Sequence, residues 1–104
     1  MQSLRPILLI LTALCATLLM VAACETAPPV QEMSDARQAI SVAREAGAES
    51  HAAAELLAAE QYLDSAEKKL NEQQYAGARR DAIQAKLKAQ NARELSEESQ
   101  TGND

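Results

Sequence analysis

Apolar residues recur every three or four positions through the second half of the chain, and this spacing restricts the folds open to it. One series consists of Leu56, Ala59, Leu63, Ala66 and Leu70. A second consists of Tyr75, Ala78, Ala82, Ala85, Ala89 and Ala92, with Ile83 and Leu87 beside it. Alternate steps of three and four place each series on one face of an α-helix. Because a short polar segment, residues 71–74, joins the two series, they predict an antiparallel helical hairpin.

The hairpin seam is poor in large side chains. The chain has two tyrosines and neither phenylalanine nor tryptophan, and the second series consists mostly of alanine. Small residues let two helix axes approach closely. They also bury little apolar area, so the hairpin alone is only marginally stable. We therefore expect another helix, a second copy of the chain or a partner to cover its open face.

A shorter helix is predicted before the hairpin. Ser34 is its N-cap candidate, and Gly47 is placed to end it. Its apolar positions are Ala36, Ala39, Ile40, Ala43 and Ala46. These positions are compatible with two arrangements. The helix either packs on the hairpin and completes a three-helix bundle, or it extends the tether that precedes it without packing. The predicted fold is all-α, with this short N-terminal helix followed by a long, alanine-rich, coiled-coil-like hairpin whose helices start near Ser50 or His51 and near Gln74.

The N-terminal segment is typical of a bacterial lipoprotein signal. Arg5 is the only charge before Glu25, and an apolar stretch, residues 7–20, follows it. The stretch ends in Val21, Ala22, Ala23 and Cys24. A charged start, a short apolar core and small residues before the cleavage site define a secretory signal. The terminal cysteine resembles that of a lipobox, which predicts cleavage before Cys24 and diacylglycerol on its thiol. An ordinary signal peptide and a single membrane anchor are the alternatives.

These patterns divide the chain into four parts. We predict a signal peptide over residues 1–23, the lipidated Cys24 with a proline-containing tether over residues 24–32, a helical domain over residues 33–98 and a disordered tail over residues 99–104. Cys15 would leave with the signal, so no disulfide is expected. Lipid chains would then attach the mature protein firmly to a membrane.

The predicted location is the outer membrane, facing the periplasm. Lipoproteins that stay in the inner membrane typically have Asp directly after the lipidated cysteine. Here Glu25 occupies that position, which favours export to the outer membrane. The expected partners are the membrane itself, through the lipid on Cys24, and an envelope protein or a second copy of the chain.

Charge and residue content argue against several function classes. From Cys24 onward, 9 basic residues face 15 acidic ones, whereas nucleic-acid binding requires a basic surface. His51 is the only histidine and has no metal-ligand spacing around it, so we interpret it as solvated. The sequence has too few large apolar residues to line a catalytic cleft. We predict a non-enzymatic protein without cofactor, metal or small-molecule substrate.

One basic cluster is a candidate partner site. Antiparallel pairing brings Lys68, Lys69, Arg79 and Arg80 to the same end of the hairpin, where they form a basic collar. Contact with an anionic partner is one interpretation of this collar. Neutralisation by Glu67, Glu72 and Asp81 is the other.

Four segments resemble a known family. They are residues 33–40 (MSDARQAI), 43–48 (AREAGA), 55–60 (ELLAAE) and 75–82 (YAGARRDA), and together they are similar to the domain-of-unknown-function family numbered 4398. Its members are typically small envelope lipoproteins, so the resemblance implies an envelope setting without implying an activity. A helical interaction or spacer module is the leading expectation. A lipoprotein that contacts peptidoglycan non-covalently is an alternative, as is a tetratricopeptide-like fragment suggested by the spacing of Tyr75, Ala78 and Ala82.

Overall fold

The chain folds into helices joined by short connections. The computed structural model describes the backbone of residues 3–25 and 27–102, and the side chains of residues 3–17 and 27–102. The helices are α1 (Leu4–Glu25), α2 (Val30–Glu45), α3 (Ala48–His51), α4 (Ala53–Asn71) and α5 (Tyr75–Thr101). Within the described ranges there is no strand, which confirms the predicted all-α class. As far as these ranges extend, no helix combines the length and apolar character needed to cross a membrane.

The predicted hairpin is formed by α4 and α5. Its connection contains Gln73, which adopts a left-handed backbone conformation with φ of 62°. The amide of Gln73 donates to the carbonyl of Leu70, and the amide of Gln74 donates to the carbonyl of Lys69. These two bonds form a Schellman motif, which satisfies the last carbonyls of α4 and reverses the chain.

Helix α2 starts earlier than predicted. Pro29 occupies the N-cap position, and its carbonyl accepts a 3.1 Å hydrogen bond from the amide of Met33. Ser34 therefore lies inside the helix, and the proposed tether is wrong over its last three residues, from Val30 to Glu32. Two causes favour the earlier start: proline has no N–H to leave unsatisfied there, and burial of Met33 stabilises the first turn.

Gly47 ends α2, as predicted. Its φ of 90° suits glycine, and a side-chain carbon at this position would lie 3.0 Å from Gln100 Nε2. The next helix, however, is not continuous from Ser50. The chain forms the single turn α3 and then breaks at Ala52, where φ is −148°, before α4 begins. The sequence contains no proline or glycine at this break, so local residue types did not indicate it.

Helices α2, α4 and α5 meet in layers that contain one residue from each. Met33, Ala66 and Ala82 form one buried cluster. Ile40 and Ala89, seven residues later in α2 and α5, and Ala59, seven residues earlier in α4, belong to a second, larger cluster. Steps of three and four from these layers reach Ala36, Ala43, Leu56, Leu63, Ala85 and Ala92, all of them buried or half-buried. Helix α2 therefore runs parallel to α5 and antiparallel to α4.

Alanine dominates this core. Eleven of the fourteen buried hydrophobic residues in the described part of the chain are alanines, which fits the predicted close approach of the helices. Helix α2 packs on both α4 and α5. It therefore completes a three-helix bundle, which decides between the two interpretations that its alanines left open.

Helix α5 extends into the predicted disordered tail, so this prediction is wrong for residues 99–101. Buried Ser96 continues the alanine stripe, and its hydroxyl donates to the carbonyl of Ala92 at 2.7 Å. Gln100 Nε2 donates to the carbonyl of Ala46 at 2.6 Å. The Gln100 bond holds the last turns of α5 against the end of α2. Residues 103 and 104 lie outside the described residues.

Candidate functional site

Arg79 joins the start of α5 to the segment that precedes α2, residues 24–29, here called the linker. Its Nη2 donates to the carbonyl of Ala27 at 3.1 Å, and its Nε donates to Glu32 Oε1, also at 3.1 Å. Pro29, which lies between Ala27 and Glu32 in the sequence, is less than 2% exposed. The Ala27 carbonyl and the Pro29 ring are therefore held against the bundle, although the composition of this segment indicated a free tether.

A second polar cluster holds α4 to α5 near the hairpin turn. Asp81 Oδ2 accepts hydrogen bonds from Ser65 Oγ at 2.6 Å and from Lys69 Nζ at 2.7 Å. Partial burial acts to raise the pKa of Asp81. The hydrogen bonds from Lys69 and Ser65 and the charges of Lys69 and Arg80 outweigh that effect, so its pKa lies below the ordinary value. Asp81 is therefore ionised at neutral pH and fixes the packing of the two helices.

The predicted basic collar thus consists of two inner and two outer residues. Lys69 and Arg79 form ion pairs within the bundle, with Asp81 and Glu32 respectively. Lys68 and Arg80 are exposed. All four lie at the hairpin-turn end, as their spacing indicated. A partner-binding role for the collar stays a prediction, for which Lys68 and Arg80 are the available side chains.

The acidic residues expected to neutralise the collar have different roles. Asp81 pairs with Lys69, as described above. Glu67 instead accepts a bond from Arg37 of α2 at 3.2 Å. Further along, Arg44 of α2 pairs with Glu60 of α4. Glu60 and Glu67 of α4 therefore attach α2 to the hairpin, which the sequence did not indicate because it gave no register for α2.

Cys24, the predicted lipidation site, lies near the end of α1. The backbone there is helical, but the side chain lies outside the described residues. Cys15, earlier in the same helix, is exposed. Lipidation of Cys24 therefore stays a prediction from the sequence.

His51 lies at the opposite end of the bundle from the hairpin turn. It is exposed, and its Nδ1 lies 3.2 Å from the hydroxyl of Ser99. Among the described residues no group of three or more histidine, cysteine or acidic side chains is arranged to hold a metal ion.

A shallow groove of about 220 Å³ lies on the surface where α2 meets α5. Its apolar surface comes from Ile83 and Leu87, which are 42% and 51% exposed. Glu32, Asp35, Lys86 and Gln90 complete its lining. The volume is below the range of about 300 to 1,000 Å³ that is usual for pockets that bind small ligands.

The fold and these contacts define an alanine-layered three-helix bundle that follows an apolar N-terminal helix. The family model described as Domain of unknown function (DUF4398) matches residues 31–103, which is more than half of the chain. The protein therefore belongs to this family, in agreement with the resemblance carried by its four segments. No curated protein and no solved structure matches the chain.

Proposed function

We propose that this protein is a lipid-anchored, non-enzymatic helical module of the bacterial cell envelope. It acts in the periplasm as a spacer or as a binding surface for envelope proteins, attached to the outer membrane through Cys24. The observation that carries the proposal is the lipobox-like sequence from Val21 to Cys24 at the end of the apolar stretch. A thiol acylated at this position attaches a protein of any fold to a membrane.

The exposed apolar surface of α1 supports the proposal. Leu9 and Ile10 are 70% and 67% exposed, and Leu4, Ile7, Leu8, Leu11 and Leu14 are all more than half exposed. A continuous apolar surface of this kind marks a segment that acts outside water. An export signal that is recognised in a membrane and then removed fits this requirement.

The arrangement of ionisable groups supports a mechanical role. Lys69 and Arg79, the inner residues of the collar, are bound to carboxylates that join separate parts of the bundle. Arg37 and Arg44 join α2 to α4 in the same way. Groups held in such pairs position helices, whereas a general acid or base needs a group free to exchange a proton with a substrate.

Replacement of Cys24 tests the membrane attachment. The Cys24→Ser variant should lose lipid labelling in cells fed a radiolabelled fatty acid. It should also no longer be recovered in the detergent-soluble lipoprotein fraction. Cys15→Ser is the matched control because it removes a thiol from the same helix, and this variant should behave as wild type. Undiminished lipid labelling of the Cys24→Ser protein contradicts the proposal.

Non-covalent contact with peptidoglycan is the alternative role for the same anchored bundle. Co-sedimentation of the purified protein with isolated cell-wall sacculi decides between the two. Retention by sacculi after a salt wash favours the wall-binding role, while cross-linking to one envelope protein favours the interaction module. A tetratricopeptide-like fragment is less well supported, because α5 has 27 residues and its alanine stripe packs in heptad layers with α2 and α4.

A further inference from the structure

We propose that one end of the bundle lies against the bilayer and contacts anionic phospholipid headgroups through Lys68 and Arg80. This end, here called the linker end, comprises residues 27–37 and 62–86. The opposite end, here called the far end, comprises residues 38–61 and 87–102. The proposal rests on the proposed attachment of lipid to Cys24 and adds an orientation to it.

The short distance between Cys24 and the first fixed backbone atom supports this orientation. Arg79 holds the carbonyl of Ala27, and Pro29 is buried beside it. Cys24 precedes Ala27 by three residues, which span at most about 11 Å when fully extended. A lipid on Cys24 therefore keeps the linker end near the membrane surface. A free tether from Cys24 to Glu32 would allow the bundle to turn over.

The charge of the bundle is divided unevenly between its ends. The linker end contains six acidic and six basic residues, so its formal net charge is zero. The far end contains seven acidic and three basic residues, for a net charge of −4. A membrane with anionic lipids repels the far end and tolerates the linker end. The two charge distributions favour the same orientation that the linker imposes.

Lys68 and Arg80 are the outward charges best placed to reach headgroups. Both are exposed on the turns that flank the hairpin connection, whereas Lys69 and Arg79 are bound to Asp81 and Glu32. Glu72 is the exposed acidic residue in the connection itself. Charges within about 8 to 10 Å of a surface interact with it at physiological salt. The reach of about 11 Å from Cys24 to Ala27 is comparable with this distance, so the linker end, which carries both cations, stays close enough to the bilayer for them to act on it.

Energy transfer from two labelled positions to a headgroup acceptor measures the orientation. Asn71→Cys places a fluorophore at the linker end and Ser50→Cys places one at the far end, each in a Cys15→Ser background. These sites are about 30 Å apart along the bundle at 1.5 Å per residue. The lipidated proteins are purified from cells and reconstituted in vesicles of phosphatidylethanolamine and phosphatidylglycerol. We expect strong transfer from position 71 and weak transfer from position 50.

Lys68→Gln with Arg80→Gln tests the headgroup contact. This pair should reduce the difference in transfer between the two labels, as should vesicles of phosphatidylcholine alone. Gln90→Glu with Asn91→Asp is the matched control, because it makes the same change of two charges on exposed far-end positions. The control should retain the wild-type difference.

Each outcome has a separate meaning. If the mass of the purified protein shows no lipid on Cys24, the proposed attachment and the orientation both fail. If lipid is present and the two labels show equal or reversed transfer, the orientation alone is overturned. If the two labels show unequal transfer, and neither phosphatidylcholine vesicles nor the Lys68 and Arg80 substitutions reduce that difference, the headgroup contact is overturned.

Discussion

The guanidinium of Arg79, in the first turns of α5, donates a 3.1 Å hydrogen bond to the backbone carbonyl of Ala27. The two residues are 52 positions apart, and the contact joins the hairpin to the chain that leads from Cys24. Together with the bond to Glu32, it makes Arg79 the point at which the linker, α2 and α5 are held together.

Replacement of Arg79 should therefore release the linker. Arg79→Ala removes both hydrogen bonds, and we expect the free energy of unfolding to fall by about 1 kcal/mol because the groups involved are partly exposed. Hydrogen exchange of the Val30 and Met33 amides, which donate to the carbonyls of Pro28 and Pro29, should become faster. Arg80→Ala is the control, since the neighbouring arginine is exposed and its loss should leave these two amides protected. Equal exchange in the two variants would contradict the role assigned to Arg79.

The alanine layers should not tolerate larger side chains. Ala85 is fully buried, so Ala85→Leu forces α5 away from α2 and α4 and should destabilise the bundle by about 1 to 3 kcal/mol. Ala76→Leu adds the same atoms at an exposed position of α5 and should change stability little. Urea unfolding of the purified proteins, followed by circular dichroism, compares the two. A stable Ala85→Leu protein would show that the helices are not closely packed.

Glycine at the left-handed position of the hairpin turn should stabilise the fold. Gln73 has φ of 62°, which costs a non-glycine residue roughly 1 to 2 kcal/mol. Part of the gain is offset by the greater freedom of glycine in the unfolded chain, so Gln73→Gly should raise stability by about 0.5 to 1 kcal/mol. Gln74→Gly is the control, because Gln74 has φ of −90° and glycine brings no relief there. The midpoint of thermal unfolding should rise for the first variant alone.

The contribution of Asp81 should depend on pH. Its pKa is lowered in the folded state, so its stabilising effect is present above the ordinary aspartate value of about 4 and is lost as pH falls below it. At pH 7 we expect Asp81→Asn to reduce the free energy of unfolding by about 1 to 2 kcal/mol. Near pH 2 the difference from wild type should shrink, because protonated aspartate and asparagine are both neutral. A difference that grows in acid would contradict the sign of the pKa shift.

Helix periodicity predicted most of the bundle. The alternation of three and four placed Leu56, Ala59 and Ala66 on one buried face and Ala78 to Ala92 on another, and Gly47 ended its helix as expected. This worked because burial on a helix depends on position within each turn, which the sequence displays directly. The break at Ala52 was missed because no glycine or proline marks it, and Ala52 is instead buried in one cluster with Ala89 and Ala92 of α5.

The linker contacts could not be predicted for a related reason. A hydrogen bond from Arg79 to the carbonyl of Ala27 leaves no trace in residue type at position 27, since every residue has a carbonyl. The ion pairs of the collar likewise depend on the register between α2 and the hairpin. Spacing along the chain brought Lys68, Lys69, Arg79 and Arg80 to one end. It could not show which of them pair inside the bundle.

The most direct test of the proposed function is the mass of the N-terminal peptide of the protein isolated from membranes of a bacterial host. We predict that this peptide begins at Cys24, carries diacylglycerol on the thiol and an acyl chain on the new amine, and lacks residues 1–23. A peptide that retains residues before Cys24, or one that starts elsewhere with an unmodified thiol at Cys24, would contradict the proposed anchor.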